Sequence, residues 1–175
     1  SWSQKLFLTM NRHVGERAWL YAIMRFFGHR LIYLNVLVLT LWLASCFFRG
    51  EPKQALTAIF IITTSLFFSF SVSYMSAIMW RHRRPTSELG RRRVHLLFST
   101  LGVWKSFPSD HTIAVTVFPA ALAAVNAPLF LVAYLVVSGL AVAVGRIYSG
   151  VHYPRDIIGG AALGLASVGL TILIF

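Results

Sequence analysis

The chain alternates long apolar stretches with short polar ones. The apolar stretches lie at about 31–48, 55–79, 111–126, 128–145 and 156–175. A helix needs about 20 residues to cross a bilayer, so this pattern predicts five crossings, of which the third is the shortest. Ahead of them, apolar residues recur near helical spacing between basic ones, which is typical of an amphipathic helix at a membrane interface. These apolar residues are Leu6, Met10, Val14, Ala18, Tyr21 and Ala22.

The composition favours the same interpretation. Of the 175 residues, 57% are hydrophobic and only 12% are charged. With a mean hydropathy of +0.71, the chain carries more apolar side chain than a soluble domain of this length can bury. We therefore predict one domain over 1–175, an all-α polytopic membrane bundle of about five transmembrane helices. Residues 1–30 would form the interfacial helix and 31–175 the transmembrane bundle.

Two of the predicted spans carry surfaces suited to contact with protein rather than lipid. The stretch 55–79 is rich in serine and threonine, so one of its faces is expected to touch another helix. In the last span, Gly160 and Gly164 are four residues apart, which allows close helix contact. We interpret this small-residue surface as packing within the chain, with a dimer contact as the alternative.

The basic residues are concentrated on one side of the predicted bundle. Five crossings place the N-terminal segment, 80–110 and 146–155 on one side, with all of the 16 Lys and Arg residues except Arg49 and Lys53. The net charge of +11 would indicate nucleic acid in a soluble protein, but in a membrane protein it favours anionic head groups or phosphorylated substrates. We therefore predict no nucleic-acid partner. The asymmetry has two explanations: the positive-inside rule, or a phosphate site built from arginines.

Three polar clusters lie on this basic side, each at the end of an apolar stretch. The first is Arg81-His82-Arg83-Arg84-Pro85, where the proline ends the second span. The second is Pro108-Ser109-Asp110-His111-Thr112, which opens the third span. The third contains Arg146, His152 and Asp156, around the loop between the last two spans. Since two crossings separate the second cluster from the third, both return to one face.

Several residues of these clusters are suited to holding a phosphate. Arg84 and Arg146 can grip phosphate oxygens in a bidentate fork. Ser109 is a good N-cap, and the free N–H groups at the start of its helix form an anion site. Arg81 and Arg83 are also basic, but arginines beside a membrane span commonly reach to lipid head groups instead.

Two histidines and an aspartate supply the remaining chemistry. His111 and His152 can act as proton donor and nucleophile near neutral pH, and Asp156 can accept a hydrogen bond from His152 and fix its tautomer. We interpret the other histidines as structural; they are His13, His29, His82 and His95. The set predicts metal-free phosphoryl transfer through a histidine.

The three clusters together resemble the signature of the type 2 phosphatidic acid phosphatase (PAP2) superfamily of membrane lipid phosphatases. The resemblance implies that His152 is a nucleophile that forms a phosphohistidine, with Asp156 as its partner and His111 as the acid that protonates the leaving group. It implies phosphate binding by Arg84, Arg146, Ser109 and the main-chain N–H near Asp110. It implies no metal and no cofactor.

The chain departs from that signature at three positions. The lysine of the first part is replaced by Ala77, so one phosphate-holding cation is missing unless Arg81 or Arg83 supplies it. The glycine of the second part is replaced by Asp110, whose negative charge would repel a phosphate unless it turns towards an arginine. The serine before the third-part arginine is replaced by Gly145.

Among members of the superfamily, the short chain, the Asp110 variant and the stretch at 150–154 are most similar to bacterial undecaprenyl diphosphate phosphatases. Phosphatidylglycerophosphate and lipid A 1-phosphate phosphatases are less similar. The resemblance implies a multi-pass protein of the bacterial cytoplasmic membrane, with a membrane lipid phosphate and the bilayer as partners. It also implies an active site on the extracytoplasmic face, where carrier lipids of peptidoglycan synthesis are recycled, against the positive-inside count.

Two other classes of function stay open from the sequence. A non-catalytic membrane protein that binds lipid phosphates would keep the arginines without turnover, and the loss of the lysine at Ala77 supports it. A transporter or channel would use the polar face of the second span, but that span carries no charged residue from 55 to 79.

Overall fold

The computed structural model describes residues 1–90, 93–98 and 105–175, and every regular element in those ranges is a helix. The elements are α1 (Trp2–Asn11), α2 (Ala18–Arg25), a π-helical turn (Phe26–Arg30), α3 (Leu31–Phe48), α4 (Pro52–Met79), α5 (Pro85–Glu88), α6 (Asp110–Ala124), α7 (Leu129–Tyr148) and α8 (Pro154–Ile174). The predicted all-α class is confirmed.

Within the described ranges, four helical stretches are long and apolar enough to cross a membrane. They are Ala18–Phe48, Pro52–Met79, Leu129–Tyr148 and Pro154–Ile174. The other predicted crossing, α6, is apolar but has only 15 residues, about 22 Å at 1.5 Å per residue. It packs against α4, α7 and α8. Its short length is compatible with the bundle because neighbouring helices surround it.

The glycines of α8 bring that helix close to α6. A Cβ at Gly160 would lie 2.7 Å from the carbonyl oxygen of Ser109, and one at Gly164 would lie 3.1 Å from that of Ile113. The small-residue surface of the last span is therefore a contact within the chain, as we interpreted it.

Hydroxyl groups join α4 to α8 along the bundle. Ser65 and Thr171 lie 3.1 Å apart through their side-chain oxygens, and Ser69 donates to Ser167 at 2.8 Å. All four side chains are buried. The predicted protein-facing side of the second span is thus confirmed, and such bonds between membrane helices each contribute about 0.6 kcal/mol.

The N-terminal segment differs from the single interfacial helix predicted over 1–30. α1 ends at Asn11, and the chain turns through Gly15, whose φ of 94° suits glycine. From Ala18 the helix then continues without a break to Phe48, through α2, the π turn and α3. Residue 30 is therefore not a helix boundary, because no helix-breaking residue ends the helix there.

α1 lies across the polar end of the bundle and buries polar as well as apolar residues there. Its buried residues are Ser3, Phe7 and Asn11, whereas Leu6 is 46% exposed. The reason is that α1 meets polar loops: the Asn11 amide donates to the carbonyl oxygens of His95 and Tyr148, at 2.8 and 3.0 Å. These bonds confirm that the N-terminal segment, 80–110 and 146–155 converge at one end.

The π turn crosses α7 at a close contact between two glycines. A Cβ at Gly28 would lie 2.8 Å from the carbonyl oxygen of Gly145, and a Cβ at Gly145 would collide with the backbone nitrogen of Gly28. Because the obstructing atoms are backbone, they cannot turn aside as a side chain can. Gly145, where the family signature has serine, is therefore required by this crossing.

We expect the Gly145→Ala variant to be destabilised by about 1–3 kcal/mol, the usual cost of overpacking. This corresponds to a loss of about 3–10 °C in Tm for a chain of this size. Gly169→Ala is the matched control, because a Cβ at that position of α8 meets nothing within 4 Å and alanine favours a helix. Thermal unfolding in detergent, followed by tryptophan fluorescence, measures both. Equal Tm values for the two variants would contradict the proposed crossing.

Candidate active site

A cavity of about 270 Å³ opens at the polar end of the bundle. Its lining residues are His29, Tyr33, Arg84, Phe98, Lys105, Pro108, Asp110, His111, Arg146 and His152. All three polar clusters of the sequence contribute to this lining. The two histidines predicted to flank a phosphate, His111 and His152, therefore share one cavity with both predicted arginines.

Asp156, at the start of α8, is fully buried and organises the loops around it. Its Oδ2 accepts hydrogen bonds from the Ser106 hydroxyl at 2.6 Å and from the Tyr153 backbone N–H at 2.9 Å. Its carbonyl oxygen accepts the backbone N–H of Ser109 at 3.0 Å. One residue thus fixes the loop before α6 and the loop that carries His152.

The His152 imidazole lies between this carboxylate and an arginine. Its Nδ1 is 3.6 Å from Asp156 Oδ2, and its Nε2 is 3.5 Å from Arg146 Nη2. Burial and the nearby Arg146 cation lower the pKa of His152 to about 4. The Asp156 carboxylate opposes this shift only in part. The ring is therefore neutral at pH 7, with an electron pair available on one nitrogen.

Arg146 is held by the π turn. Its Nη1 donates to the carbonyl oxygen of Gly28 at 3.0 Å, and its guanidinium lies 5.5 Å from the centre of the Phe98 ring. Its Nε has no hydrogen-bond partner among the described residues. Arg146 is 4% exposed, and a buried cation of this kind is suited to an anionic ligand.

Arg84 precedes the short helix α5 in an extended conformation. Its Nε donates to the carbonyl oxygen of Lys105 at 2.9 Å, while Nη1 is buried without a partner in the described part of the chain. Burial lowers the pKa of Arg84, and the carboxylates of Asp110 and Asp156 act in the opposite direction. One edge of the guanidinium is therefore fixed to the backbone and the other is available to a ligand.

The N-terminus of α6 forms another wall of the site. Ser109 is the N-cap, but its side chain makes no capping bond, and its buried Oγ has no partner within the described ranges. His111 follows in the first turn and lines the cavity. A free hydroxyl beside the first N–H groups of a helix is a suitable environment for an anion.

The structure brings Lys105 into the cavity, which the sequence reasoning missed. Its ammonium forms an ion pair with Asp110 Oδ1 and lies 4.2 Å from the centre of the Tyr74 ring. Burial lowers the pKa of Lys105, whereas the hydrogen bond with Asp110 raises it. The available signal was its position, a lysine three residues before Pro108 in the same polar stretch.

Other predicted residues lie outside this set. Arg81 and Arg83 are exposed and do not line the cavity, so the structure does not bring them to the phosphate-binding groups. The His82 ring packs 5.3 Å from that of Phe107, and His13 pairs with Glu16 at 3.0 Å. His29 was interpreted as structural, but it lines the cavity mouth and its ring centre lies 4.9 Å from that of Phe98.

An all-helical membrane bundle with two histidines, a buried aspartate and three cations at one end defines a class, the membrane-embedded lipid phosphatases. Residues 54–175 match the PAP2 superfamily, and the chain belongs to it. The matched part spans α4 to α8 and contains all three clusters. Gly28, His29 and Tyr33 precede it, so the N-terminal helices complete the site from outside the matched region.

Individual relatives agree with this assignment. The chain is 26% identical over 162 residues to YbjG of Escherichia coli K12, which is provisionally named an undecaprenyl-diphosphatase. The aligned region covers 91% of this chain and 76% of that protein. The crystal structure of Aquifex aeolicus LpxE is similar with a TM-score of 0.73 and 25% identity, over 99% of this chain and 96% of the other. A transmembrane PAP2-type phosphatidylglycerolphosphate phosphatase from Bacillus subtilis shares the fold, with a TM-score of 0.68, 20% identity and coverage of 98% and 85%.

We expect the His152 ring to stay neutral as the pH falls through 6.5 and to become protonated only near pH 4. NMR titration of ¹⁵N-histidine-labelled protein in micelles measures this, with the signal assigned by its absence from His152→Asn. In Asp156→Asn the midpoint should fall further, because the carboxylate that favours the charged ring is gone. A His152 midpoint near 6.5 would contradict the buried, neutral ring.

Proposed function

We propose that this chain is a multi-pass phosphatase of the bacterial cytoplasmic membrane that removes the terminal phosphate of a lipid (di)phosphate, with undecaprenyl diphosphate as its substrate. The observation that carries the proposal is the single cavity in which His111, His152, Arg84 and Arg146 meet. The similarity to YbjG supports the choice of substrate. The lipid tail would stay in the bilayer while the phosphate enters the polar end.

The reaction would begin with capture of the terminal phosphate. Arg84 Nη1, Arg146 Nε and the Ser109 hydroxyl have no hydrogen-bond partner among the residues that the structure describes, which points to a ligand rich in oxygen acceptors. Neutralising the charge and positioning the phosphorus supply most of the acceleration in phosphoryl transfer. A fixed and largely buried set of cations is suited to that task.

His152 would then attack the phosphorus through Nε2. Its Nδ1 faces Asp156, so the Nδ1–H would donate to that carboxylate and leave the electron pair on Nε2. The 3.6 Å separation is longer than a hydrogen bond, and catalytic hydrogen bonds often shorten only when substrate binds. The N–P bond forms as the bond from phosphorus to the bridging oxygen breaks.

His111, protonated while the anionic phosphate lies in the cavity, would donate its proton to that departing oxygen. The lipid product leaves, and His111, now neutral, takes a proton from a water that attacks the phosphohistidine. Breaking the N–P bond returns His152 and releases inorganic phosphate. Within the described ranges, no group of three or more His, Cys, Asp or Glu residues could hold a metal ion. The scheme uses no cofactor.

We expect His152→Ala to release less than about one thousandth of the wild-type phosphate, because loss of a nucleophile removes the covalent route. The measurement is phosphate release from undecaprenyl diphosphate in mixed micelles. His95→Ala is the matched control, because that ring is exposed and outside the cavity lining. Substantial turnover by His152→Ala would contradict the nucleophile assignment.

The same assay separates the competing interpretations. Phosphatidylglycerophosphate and lipid A 1-phosphate serve as competing substrates, and preference for either would overturn the choice of undecaprenyl diphosphate. A chelator should leave the rate unchanged. Lipid-phosphate binding by the wild type without turnover would instead identify the non-catalytic binding protein.

We expect the active-site end to face away from the cytoplasm. In a Cys46→Ser background, a cysteine at exposed Ser87 should react with an impermeant thiol reagent in intact spheroplasts, whereas one at exposed Lys53 should react only after lysis. Ser87 lies in α5 beside the cavity and Lys53 at the other end of α4. The opposite labelling pattern would place the site in the cytoplasm, as the positive-inside rule predicts.

A further inference from the structure

The cavity contains a buried ion pair that a phosphate site does not obviously need. Lys105 is 7% exposed and pairs with Asp110, whose side chain is 35% exposed. A carboxylate at this position repels an incoming phosphate. Burying a lysine also carries a large desolvation cost, which a paired carboxylate offsets only in part. The presence of both charged residues therefore needs an explanation in terms of the ligand that the cavity binds.

One face of α4 shows where the Lys105 ammonium lies. Ser73 donates to Asp110 Oδ1 at 3.1 Å, and the Tyr74 ring lies 4.2 Å from Lys105 Nζ. Ala77 follows one turn later and is 2% exposed. Since residues three and four apart share a helix face, Ser73, Tyr74 and Ala77 are neighbours. The ammonium of Lys105 therefore reaches the α4 surface close to Ala77, from the loop that precedes α6.

This placement matters because Ala77 is the position at which the PAP2 signature has a lysine. The exposed arginines at 81 and 83 do not line the cavity, whereas Lys105 does. The chain has thus lost a cation on α4 and gained one in the loop before α6, whose ammonium lies beside α4. The extra carboxylate at Asp110 accompanies the gained cation.

We propose that Lys105 is a third phosphate-binding cation of this site, acting in place of a lysine at position 77, and that Asp110 holds its ammonium at the cavity wall until the substrate phosphate becomes its partner. The proposal rests on the proposed phosphatase function. It explains both departures from the signature, at Ala77 and at Asp110, by one compensating pair.

Charge balance supports this assignment. A terminal phosphate carries up to two negative charges, and Asp110 adds a third beside it. Arg84 and Arg146 alone would leave one negative charge uncompensated in a largely buried cavity, which is costly. The protonated His111 and the Asp156 carboxylate of the proposed mechanism add one charge of each sign, so with Lys105 the positive and negative charges are equal in number. The alternative is that Lys105 only neutralises Asp110 and never touches the phosphate.

A set of four variants separates these two roles. Lys105→Met, Asp110→Asn, the double variant Lys105→Met/Asp110→Asn and that double variant with Ala77→Lys are assayed for kcat/KM on undecaprenyl diphosphate. Inorganic phosphate is tested on each as a competitive inhibitor. Lys53→Met is the matched control, the same substitution at an exposed lysine at the far end of α4.

If Lys105 binds phosphate, the double variant loses about ten- to hundredfold in kcat/KM, the effect of one hydrogen bond to a charged group. Inhibition by inorganic phosphate weakens in parallel. Adding Ala77→Lys restores kcat/KM to within about threefold of wild type, because a cation returns to the same place. Asp110→Asn alone loses less kcat/KM than the double variant, because Lys105 is still present although its ammonium is no longer held by a carboxylate.

Wild-type activity in the double variant would overturn the proposal, because neutralising Asp110 would then be the only role of Lys105. Failure of Ala77→Lys to restore any activity in a folded protein would also count against it. Should Lys105→Met not fold, the double variant, which removes both charges together, provides the comparison.

Failure of the proposed function is recognised separately. If the wild type releases no phosphate from any lipid, calorimetric binding of inorganic phosphate to wild type and to the double variant decides the role of Lys105. A tenfold weaker affinity in the double variant supports phosphate binding by Lys105, and equal affinities contradict it.

Discussion

The buried carboxylate of Asp156 is the contact on which the arrangement of the site depends. Its side chain holds Ser106 and the backbone of Tyr153, and its carbonyl oxygen holds the backbone of Ser109. These partners come from loops that are distant in the chain. A carboxylate with no exposure to solvent depends on such partners: Oδ2 accepts both side-chain bonds, and Oδ1 lies 3.6 Å from Arg155 Nε. The loops before α6 and α8 are therefore fixed relative to one another, and the two histidines with them.

The N-terminal helices have a larger part in the site than the three polar clusters of the sequence suggest. α1 binds the loops through Asn11, and the π turn supplies the carbonyl oxygen that holds Arg146. His29 and Tyr33 line the mouth of the cavity. The three polar clusters lie within 54–175, whereas Asn11, Gly28, His29 and Tyr33 precede that region. The N-terminal helices and the matched region form one functional unit.

Much of the fold was predictable because the length of each apolar stretch reflects the thickness of a bilayer. The polar residues between these stretches mark where the helices end. The spans at 31–48 and 55–79 correspond closely to α3 and α4, and the hydroxyl-rich face of α4 packs on α8 as expected. The residues that α1 buries against the loops, Ser3, Phe7 and Asn11, were not predicted. Hydrophobic periodicity identifies the face that avoids water, and in a membrane protein lipid satisfies that face as well as protein does.

The site was predictable where chemistry is tied to local spacing and not where it depends on packing between helices. Arg84, Arg146, His111 and His152 were named from their clusters and share the cavity. Lys105 was missed because its role depends on which wall of the cavity its loop reaches. The position of His29 was missed for the same reason, since nothing in its neighbouring residues shows that the π turn carries it to the cavity.

The π turn also determines how the first long helix is oriented about its own axis. A π turn contains one residue more than the α-helical path it replaces, with Leu31 N–H bonded to the carbonyl oxygen of Phe26. Removing one residue there would rotate all of α3 by about 100° relative to α2. The inward stripe that begins with Leu31, Asn35 and Leu39 would then face the acyl chains. The π turn, which presents the Gly28 carbonyl to Arg146, thereby also sets the angular register of the first membrane-spanning helix.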